Sequence, residues 1–122
     1  MIYIYARNNL LINSGDISVE GAIETGKKDT IMVYIEYTKG TEDNITVSFE
    51  KYEKSIDKWF PVQQDDGNSI VNYERTLNEG LYNIPIPVGK NEEKFKIKVK
   101  MNGNTSATGT VNVWLIPEDT RF

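Results

Sequence analysis

The sequence predicts an all-β protein, an antiparallel two-sheet β-sandwich of the jelly-roll or immunoglobulin-like kind. Three observations predict this fold. Apolar residues recur at every second position in many short segments, turn-forming residues separate these segments at intervals of about 8 to 14 residues, and no amphipathic helical period appears. Clean alternation favours antiparallel pairing, because parallel strands are covered on both faces and form continuous apolar runs. The 122 residues fit one domain, 1–122.

The alternation predicts eight to ten strands. It is clearest in residues 31–37, 45–49, 95–101 and 111–115, where the apolar positions define one dry face and the positions between them one wet face. In chain order the candidate strands cover residues 2–6, 10–12, 16–24, 31–37, 45–49, 58–63, 69–75, 80–86, 95–101 and 111–115. These short segments are typical of a sandwich.

Turn-forming residues lie between the predicted strands. Asp66-Gly67 and Asn102-Gly103 supply the positive φ of tight turns. Gly40 is expected to supply an unusual backbone angle in the turn at 38–42. The run Asp65-Asp66-Gly67-Asn68 is oxygen-rich, but it lacks the ligand spacing of a calcium loop and is predicted to be a hairpin turn.

Two prolines limit where one strand can lie. Pro85 and Pro87 alternate within residues 84–88. Because neither proline can donate a backbone hydrogen bond to a neighbouring strand, this segment is predicted to be an edge strand or an extended arm.

Composition excludes several classes of function. The chain has no cysteine and no histidine, which removes disulfides, thiolate catalysis, cysteine-ligated zinc and the usual general base near neutral pH. A net charge of −4 argues against nucleic-acid binding. No segment approaches the ~20 apolar residues of a membrane span, and the first ten residues lack a secretory signal. We expect no enzyme activity, no cofactor or metal, no nucleic-acid or membrane partner, and synthesis in the cytoplasm.

Lysines line one face of the predicted strand at 95–101. Lys96, Lys98 and Lys100 follow one another at about 7 Å, which suits an electrostatic contact with an acidic partner surface. The alternative is a solvated strand whose charges oppose sheet-to-sheet aggregation. No aromatic residue is expected among these lysines on this face, which disfavours stacking of nucleic-acid bases.

Three predicted strands are apolar on both faces. Trp114 and Tyr34 each occupy the face opposite the apolar positions of their strand, and Tyr3 and Tyr5 do the same in the first strand. A monomer with a solvated exterior does not need this surplus, so it is buried either by another chain or by arms of the same chain. The candidate interface residues are Tyr3, Tyr5, Tyr34, Pro85, Pro87, Trp114 and Phe122.

Residues 34–60 resemble a known group of proteins. The segment Tyr34-Ile35-Glu36-Tyr37-Thr38-Lys39-Gly40-Thr41-Glu42 is followed by an alternating strand at 45–50 and then by Ser55-Ile56-Asp57-Lys58-Trp59-Phe60. This order resembles small β-sandwich proteins encoded in the structural regions of tailed phages and prophages. The resemblance implies a non-enzymatic virion protein, either a head decoration or auxiliary capsid protein or a neck or tail component. It also implies a location in the virion, with copies of itself and a capsid or tail protein as partners.

The aromatic residues leave a second function open. Sugar-binding sandwiches use exposed rings as stacking platforms, so the alternative is a carbohydrate-binding module that uses Trp59, Tyr73 or Tyr82. Trp59 is also a candidate for packing inside the core after the turn that precedes it. An enzyme ranks third, because glycoside hydrolysis needs two carboxyls held about 5 to 10 Å apart in a cleft and the sequence shows no such pair.

Overall fold

A computed structural model describes residues 2–6, 11–14, 18–26, 28–89, 94–103 and 106–119, with side chains from Val19 onward. These residues form twelve β-strands and no helix, which confirms the all-β prediction. The strands are β1 (Ile2–Ala6), β2 (Leu11–Ser14), β3 (Ser18–Glu24), β4 (Thr30–Thr38), β5 (Asn44–Glu53), β6 (Lys58–Pro61), β7 (Gln63–Asp65), β8 (Ile70–Asn72), β9 (Glu74–Leu77), β10 (Gly80–Pro87), β11 (Lys94–Asn102) and β12 (Thr110–Glu118).

The strands form two five-stranded sheets and one separate hairpin. Sheet A has the order β10-β4-β12-β1-β2. Sheet B has the order β3-β11-β5-β6, with β9 also paired to β5, and β7 and β8 form the hairpin. Buried side chains of both large sheets, such as Ile35 and Val113 from sheet A and Phe49 and Ile97 from sheet B, belong to one hydrophobic cluster. A core shared by two sheets agrees with the predicted sandwich.

Early strands pair with late strands in reverse chain order. β1 pairs with β12, β3 with β11, β4 with β10, and β5 with β9. Among the described strands every pair is antiparallel except β1 with β12, which is parallel. β1 and β2 run in opposite directions, and the strand of this pair that lies next to β12 is β1, which runs in the same direction as β12.

The alternation in sequence decides which side chains enter the core. On β4, Val33 and Ile35 are buried and Tyr34, between them, is only partly covered. On β12, Val113 and Leu115 are buried and Trp114 points away. Each fully buried aliphatic side chain stabilises the fold by about 1.5–3 kcal/mol, so a one-residue slip of either strand would expose its whole buried set.

The number of strands exceeds the predicted eight to ten because two predicted strands are each divided. The chain leaves the edge of β5 after β6, forms the β7–β8 hairpin, and returns to β5 as β9. The Tyr73 N–H donates to Val62 O at 2.8 Å and closes the base of this hairpin, and the Val62 N–H donates to Phe49 O at 2.9 Å and ties that base to β5. The predicted segments 58–63 and 69–75 therefore each contribute to two strands.

A buried carboxylate fixes one end of sheet A. Glu42, in the β4–β5 loop, is 0% exposed. Its Oε2 accepts hydrogen bonds from the Tyr37 hydroxyl at 2.6 Å and the Gly40 N–H at 2.8 Å, and its Oε1 accepts one from the Gly109 N–H at 2.8 Å. Because Gly109 precedes β12, Glu42 ties the β4–β5 loop to the β11–β12 connection.

These hydrogen bonds explain the ionisation of Glu42. Burial alone would raise the pKa of its carboxyl, but donation by the Gly40 N–H, the Tyr37 hydroxyl and the Gly109 N–H outweighs burial and lowers the pKa to about 2. Burial and the adjacent carboxylate raise the pKa of the Tyr37 hydroxyl above its ordinary range. Glu42 is therefore charged at neutral pH and its partners stay protonated, as a satisfied buried ion requires.

The predicted turn glycines act in two ways. Gly67 and Gly103 have φ of 98° and 87°, as expected for Asp-Gly and Asn-Gly turns. Gly40 has no positive φ, so the prediction for it was wrong. Gly40 is required by close approach instead, because a Cβ there would lie 2.3 Å from Thr108 Oγ1.

Candidate protein-interaction surface

The face of sheet A that points away from the core carries the predicted apolar surplus. We call it the outer face of sheet A. The register places Tyr34 of β4 opposite Trp114 of β12 on one side and opposite Asn83 of β10 on the other. Paired residues of neighbouring strands share a face, so these residues form one row across three strands. The described members of this face include Met32, Tyr34, Glu36, Leu81, Asn83, Pro85, Pro87, Asn112, Trp114 and Ile116.

Large apolar side chains on this face are open to solvent. Leu81 is 78% exposed and Trp114 is 36% exposed. Next to them lies an open groove of about 410 Å³, which we call the aromatic groove, lined by residues that include Tyr34, Glu36, Leu81, Tyr82, Trp114 and Ile116. Exposed apolar area that is contiguous, rather than scattered over single residues, marks interaction sites.

One polar pair borders the apolar residues. The Asn112 side-chain amide donates a hydrogen bond to Glu36 Oε1 at 2.8 Å, across the β12–β4 pair. This bond holds the Glu36 side chain in place at the wall of the aromatic groove. A mostly apolar surface with a few oriented polar groups is the usual composition of a protein-binding or ligand-binding site.

The structure brings some of the predicted interface residues together. Tyr34, Trp114, Pro85 and Pro87 all lie on the outer face of sheet A. β10 lies at the edge of sheet A, so the edge alternative of the proline prediction is confirmed and the extended-arm alternative was wrong. The prolines are exposed there, opposite Met32 and Thr30 of β4.

The remaining predicted interface residues are described only in part. Tyr3 and Tyr5 occupy the register positions of Asn112 and Trp114 on β12. Register is all that the structure gives for these two tyrosines, and Phe122 lies outside the described residues. Their participation in an interface stays a prediction.

Lysines of β11 face away from the core on sheet B, but glutamates and aromatic rings accompany them. Lys96 Nζ lies 3.6 Å from a Glu50 oxygen and 3.7 Å from a Glu20 oxygen, and Lys98 Nζ lies 3.2 Å from Glu50. Lys100 is exposed at the same face. Since two of the three lysines meet carboxylates of the same chain, the ridge is partly neutralised within the fold.

Aromatic side chains reach this lysine face from neighbouring strands, so the expectation of a ridge without aromatics was wrong. Lys96 Nζ lies 4.3 Å from the centroid of the Trp59 ring, and Lys94 Nζ lies 4.8 Å from that of Tyr52. The two rings are themselves tilted against each other at 5.4 Å. The sequence could not show these contacts, because the alternation along β11 does not reveal which side chains of β5 and β6 lie beside its lysines.

Of the three rings predicted as glycan platforms, Trp59 and Tyr73 are covered by cationic side chains, and Tyr82 lines the aromatic groove. Trp59 is half-buried beneath Lys96, which also contradicts the idea that it packs inside the core. Tyr73 packs against the core, with its ring 5.7 Å from Phe49 and the Arg75 guanidinium 4.3 Å from its centroid. Tyr82 also packs against the core and lines the aromatic groove.

Sequence reasoning missed two features. Leu81 is the most exposed large hydrophobic side chain described, and its position between Gly80 and Tyr82 at the start of β10 gave no distinct signal. A second open groove of about 290 Å³ lies at the β5–β6 turn, with Ile56 and Phe60 in its lining. That turn closes through Asp57, whose φ is 52° and whose carboxylate accepts a hydrogen bond from the Tyr52 hydroxyl.

The described residues contain no group of three or more His, Cys, Asp or Glu side chains placed to hold a metal ion. No helix among them has the length and apolarity needed to cross a bilayer. The carboxylates of Asp65 and Asp66 accept backbone N–H groups of their own turn, and β7 and β8 on either side of this turn form the predicted hairpin.

Comparison of the chain with protein-family models, with curated proteins and with solved structures found no match. Function is therefore inferred from the surface itself.

Proposed function

We propose that this chain is a non-enzymatic structural protein of a phage-like particle, where it assembles with copies of itself and with a capsid or tail protein. The outer face of sheet A is the assembly surface in this proposal. Its place in the particle is that of a head decoration or auxiliary capsid protein, or of a neck or tail component, and its location is the virion.

The exposed apolar side chains of the outer face carry the proposal. Leu81, Trp114 and Tyr34 lie on three adjacent strands, on the side of the sheet that does not contribute to the core. Aromatic residues at the centre of a rigid sheet are the usual anchors of protein interfaces, because they bury much area and lose little conformational freedom. Glu42 and its hydrogen bonds hold the adjacent end of sheet A, so the surface is pre-formed.

Strand pairing supports the proposal at the level of fold. The reverse-order antiparallel pairing of β3, β4 and β5 with β11, β10 and β9 is what results when one long hairpin is rolled into two sheets, and the parallel β1–β12 pair lies outside this pattern. We infer a jelly roll in preference to an immunoglobulin-like fold. Jelly rolls occur in viral capsid proteins and in lectins. Because the fold serves both classes, fold analogy alone does not decide between them.

The sequence resemblance points to phages rather than to lectins. It covers residues 34–60, which run from the middle of β4 through β5 to Phe60 of β6. The proposal predicts that mass spectrometry of purified particles from the phage or induced prophage that encodes this chain detects it in a fixed ratio to the major capsid or tail proteins. Particles that contain none of the chain would contradict it.

A carbohydrate-binding module is the second candidate, and the aromatic groove favours it. The groove volume of about 410 Å³ falls in the range of small-ligand sites, roughly 300–1,000 Å³, and its lining contains Tyr34, Tyr82 and Trp114. This candidate moves the glycan from the predicted Trp59 and Tyr73 to the outer face of sheet A. A glycan array tests this candidate. Binding that is lost in Trp114→Ala, together with a native protein that neither self-associates nor enters particles, would favour the carbohydrate-binding module over the assembly protein.

A further inference from the structure

The free edge of β10 has an unusual distribution of hydrogen-bond donors. The Val88 N–H donates to Asp29 O, on the β4 side, at 2.8 Å. Backbone groups of alternate residues point to opposite sides of a strand, so the N–H and C=O groups of the even-numbered residues of β10 face β4. Those of the odd-numbered residues face away from it. No other described strand pairs with β10 on that side.

Prolines close half of this edge and leave the other half open. Among the odd-numbered residues, Pro85 and Pro87 have no N–H, whereas Leu81 and Asn83 each offer an N–H and a C=O. Proline is one of the means by which proteins protect an edge strand from pairing. The open segment is therefore restricted to a few residues around Tyr82.

We propose that two copies of this chain join their sheets A by antiparallel pairing of β10 with β10, about a two-fold axis at Tyr82. In this register Leu81 of each copy lies opposite Asn83 of the other, and each such pair exchanges two N–H···O=C hydrogen bonds. The two pairs form four hydrogen bonds, which use both outward N–H groups and both matching C=O groups of each copy. The inference extends the proposed function, since it specifies one contact of the assembly.

The edge is self-complementary in chemistry as well as in symmetry. Residues 80–84 carry no charge, so pairing of identical strands places no like charges opposite one another. The edge at β3, in contrast, carries Glu20 and Glu24, which two copies would bring close together. A register shifted by one pair toward the prolines would place the Leu81 C=O opposite Pro85, which has no N–H to donate.

Pairing at this edge also joins the apolar surfaces of the two copies. Leu81 lies at the edge of sheet A and lines the aromatic groove. A β10–β10 pair therefore makes the outer faces of the two sheets A continuous, and it covers part of the 78% exposed Leu81 side chain. The contact is short, so we expect weak pairing that gains strength when many copies assemble.

The absence of cysteine from the native chain allows a register-specific test. Leu81→Cys and Asn83→Cys are separate variants at exposed positions, so both should fold like the native protein. In the proposed register these positions lie about 5.5 Å apart in Cα, a separation that a disulfide spans. The two variants are mixed, with one isotopically labelled, and oxidised at high concentration, and the products are separated by mass.

We expect the mixture to form the disulfide-linked heterodimer of Leu81→Cys with Asn83→Cys several-fold faster than either variant alone forms a homodimer. Equal rates for all three products, or no cross-linking, would overturn the β10 pairing. The same experiment in a Trp114→Ala background separates the two proposals, because β10 pairing predicts that the heterodimer excess persists there. Loss of particle incorporation by Trp114→Ala with retained cross-linking would assign the two surfaces to different partners.

Discussion

Replacement of Glu42 by glutamine tests the buried carboxylate that fixes the end of sheet A. Glutamine has nearly the same size, but it removes the charge and presents an NH₂ group where the carboxylate accepts hydrogen bonds. The side chain lies between the Gly40 and Gly109 N–H groups and the Tyr37 hydroxyl, so one donor would face another donor. A buried donor without an acceptor is costly.

The pKa of Glu42 sets the magnitude. An ordinary glutamate carboxyl has a pKa of 4.5, and the Glu42 carboxyl in the folded protein has a pKa of about 2. Each pH unit of difference corresponds to about 1.36 kcal/mol, so ionisation of Glu42 stabilises the folded state by about 3 kcal/mol at neutral pH. Because the folded-state pKa is the lower one, this contribution is complete above pH 4.5 and is lost as the pH falls toward 2.

Urea unfolding from pH 7 to pH 2 measures the effect. We expect the native protein to exceed Glu42→Gln in free energy of unfolding by about 3 kcal/mol at pH 7, and by less than about 1 kcal/mol near pH 2. Glu74→Gln, at an exposed position on β9, is the matched control and should change stability little at either pH. If the native protein and Glu42→Gln differed by the same free energy of unfolding at every pH in this range, the stabilising role of the Glu42 charge would be refuted.

Two further predictions concern packing. Gly109→Ala should destabilise the protein by about 2 to 3 kcal/mol, because its Cβ would lie 2.1 Å from the buried Glu42 carboxylate. Gly67→Ala meets no atom within 4 Å and should cost about 1 kcal/mol through its backbone angle. Thermal unfolding compares the two variants, and equal losses of stability would contradict the close packing of Gly109 against Glu42. Lys96→Ala should alter the fluorescence of Trp59, because the Lys96 ammonium lies over its ring, and Lys100→Ala should not. Identical emission spectra for the two variants would contradict the contact between Lys96 and Trp59.

Alternation predicted the parts of the fold that depend on one strand at a time. In β4 and β12 every second side chain is buried, so both the core and the surplus at Tyr34 and Trp114 were visible in the sequence. Alternation is a local property, and it says nothing about which strand lies next to which. The parallel neighbour of β12 and the place of Trp59 beneath Lys96 therefore could not be predicted.

The site was predictable to a similar extent. Pro85 and Pro87 indicated an edge because proline lacks an N–H group, which is a property of the residue itself. Glu42 could not be singled out, since Gly109, one of its donors, lies 67 residues away in the chain. The break between β6 and β7 at Val62 could not be predicted either. The Val62 N–H donates its hydrogen bond to Phe49 O there, and no pattern in the sequence marks that contact.

Sedimentation analysis over a wide concentration series tests the central proposal most directly, that the outer face of sheet A is buried against another protein. The native chain should associate as its concentration rises, and Trp114→Ala should weaken that association by about tenfold or more, as expected for a central aromatic anchor. A native chain that stays monomeric at every concentration, or a Trp114→Ala variant that both associates and enters particles as well as the native chain, would contradict the proposal.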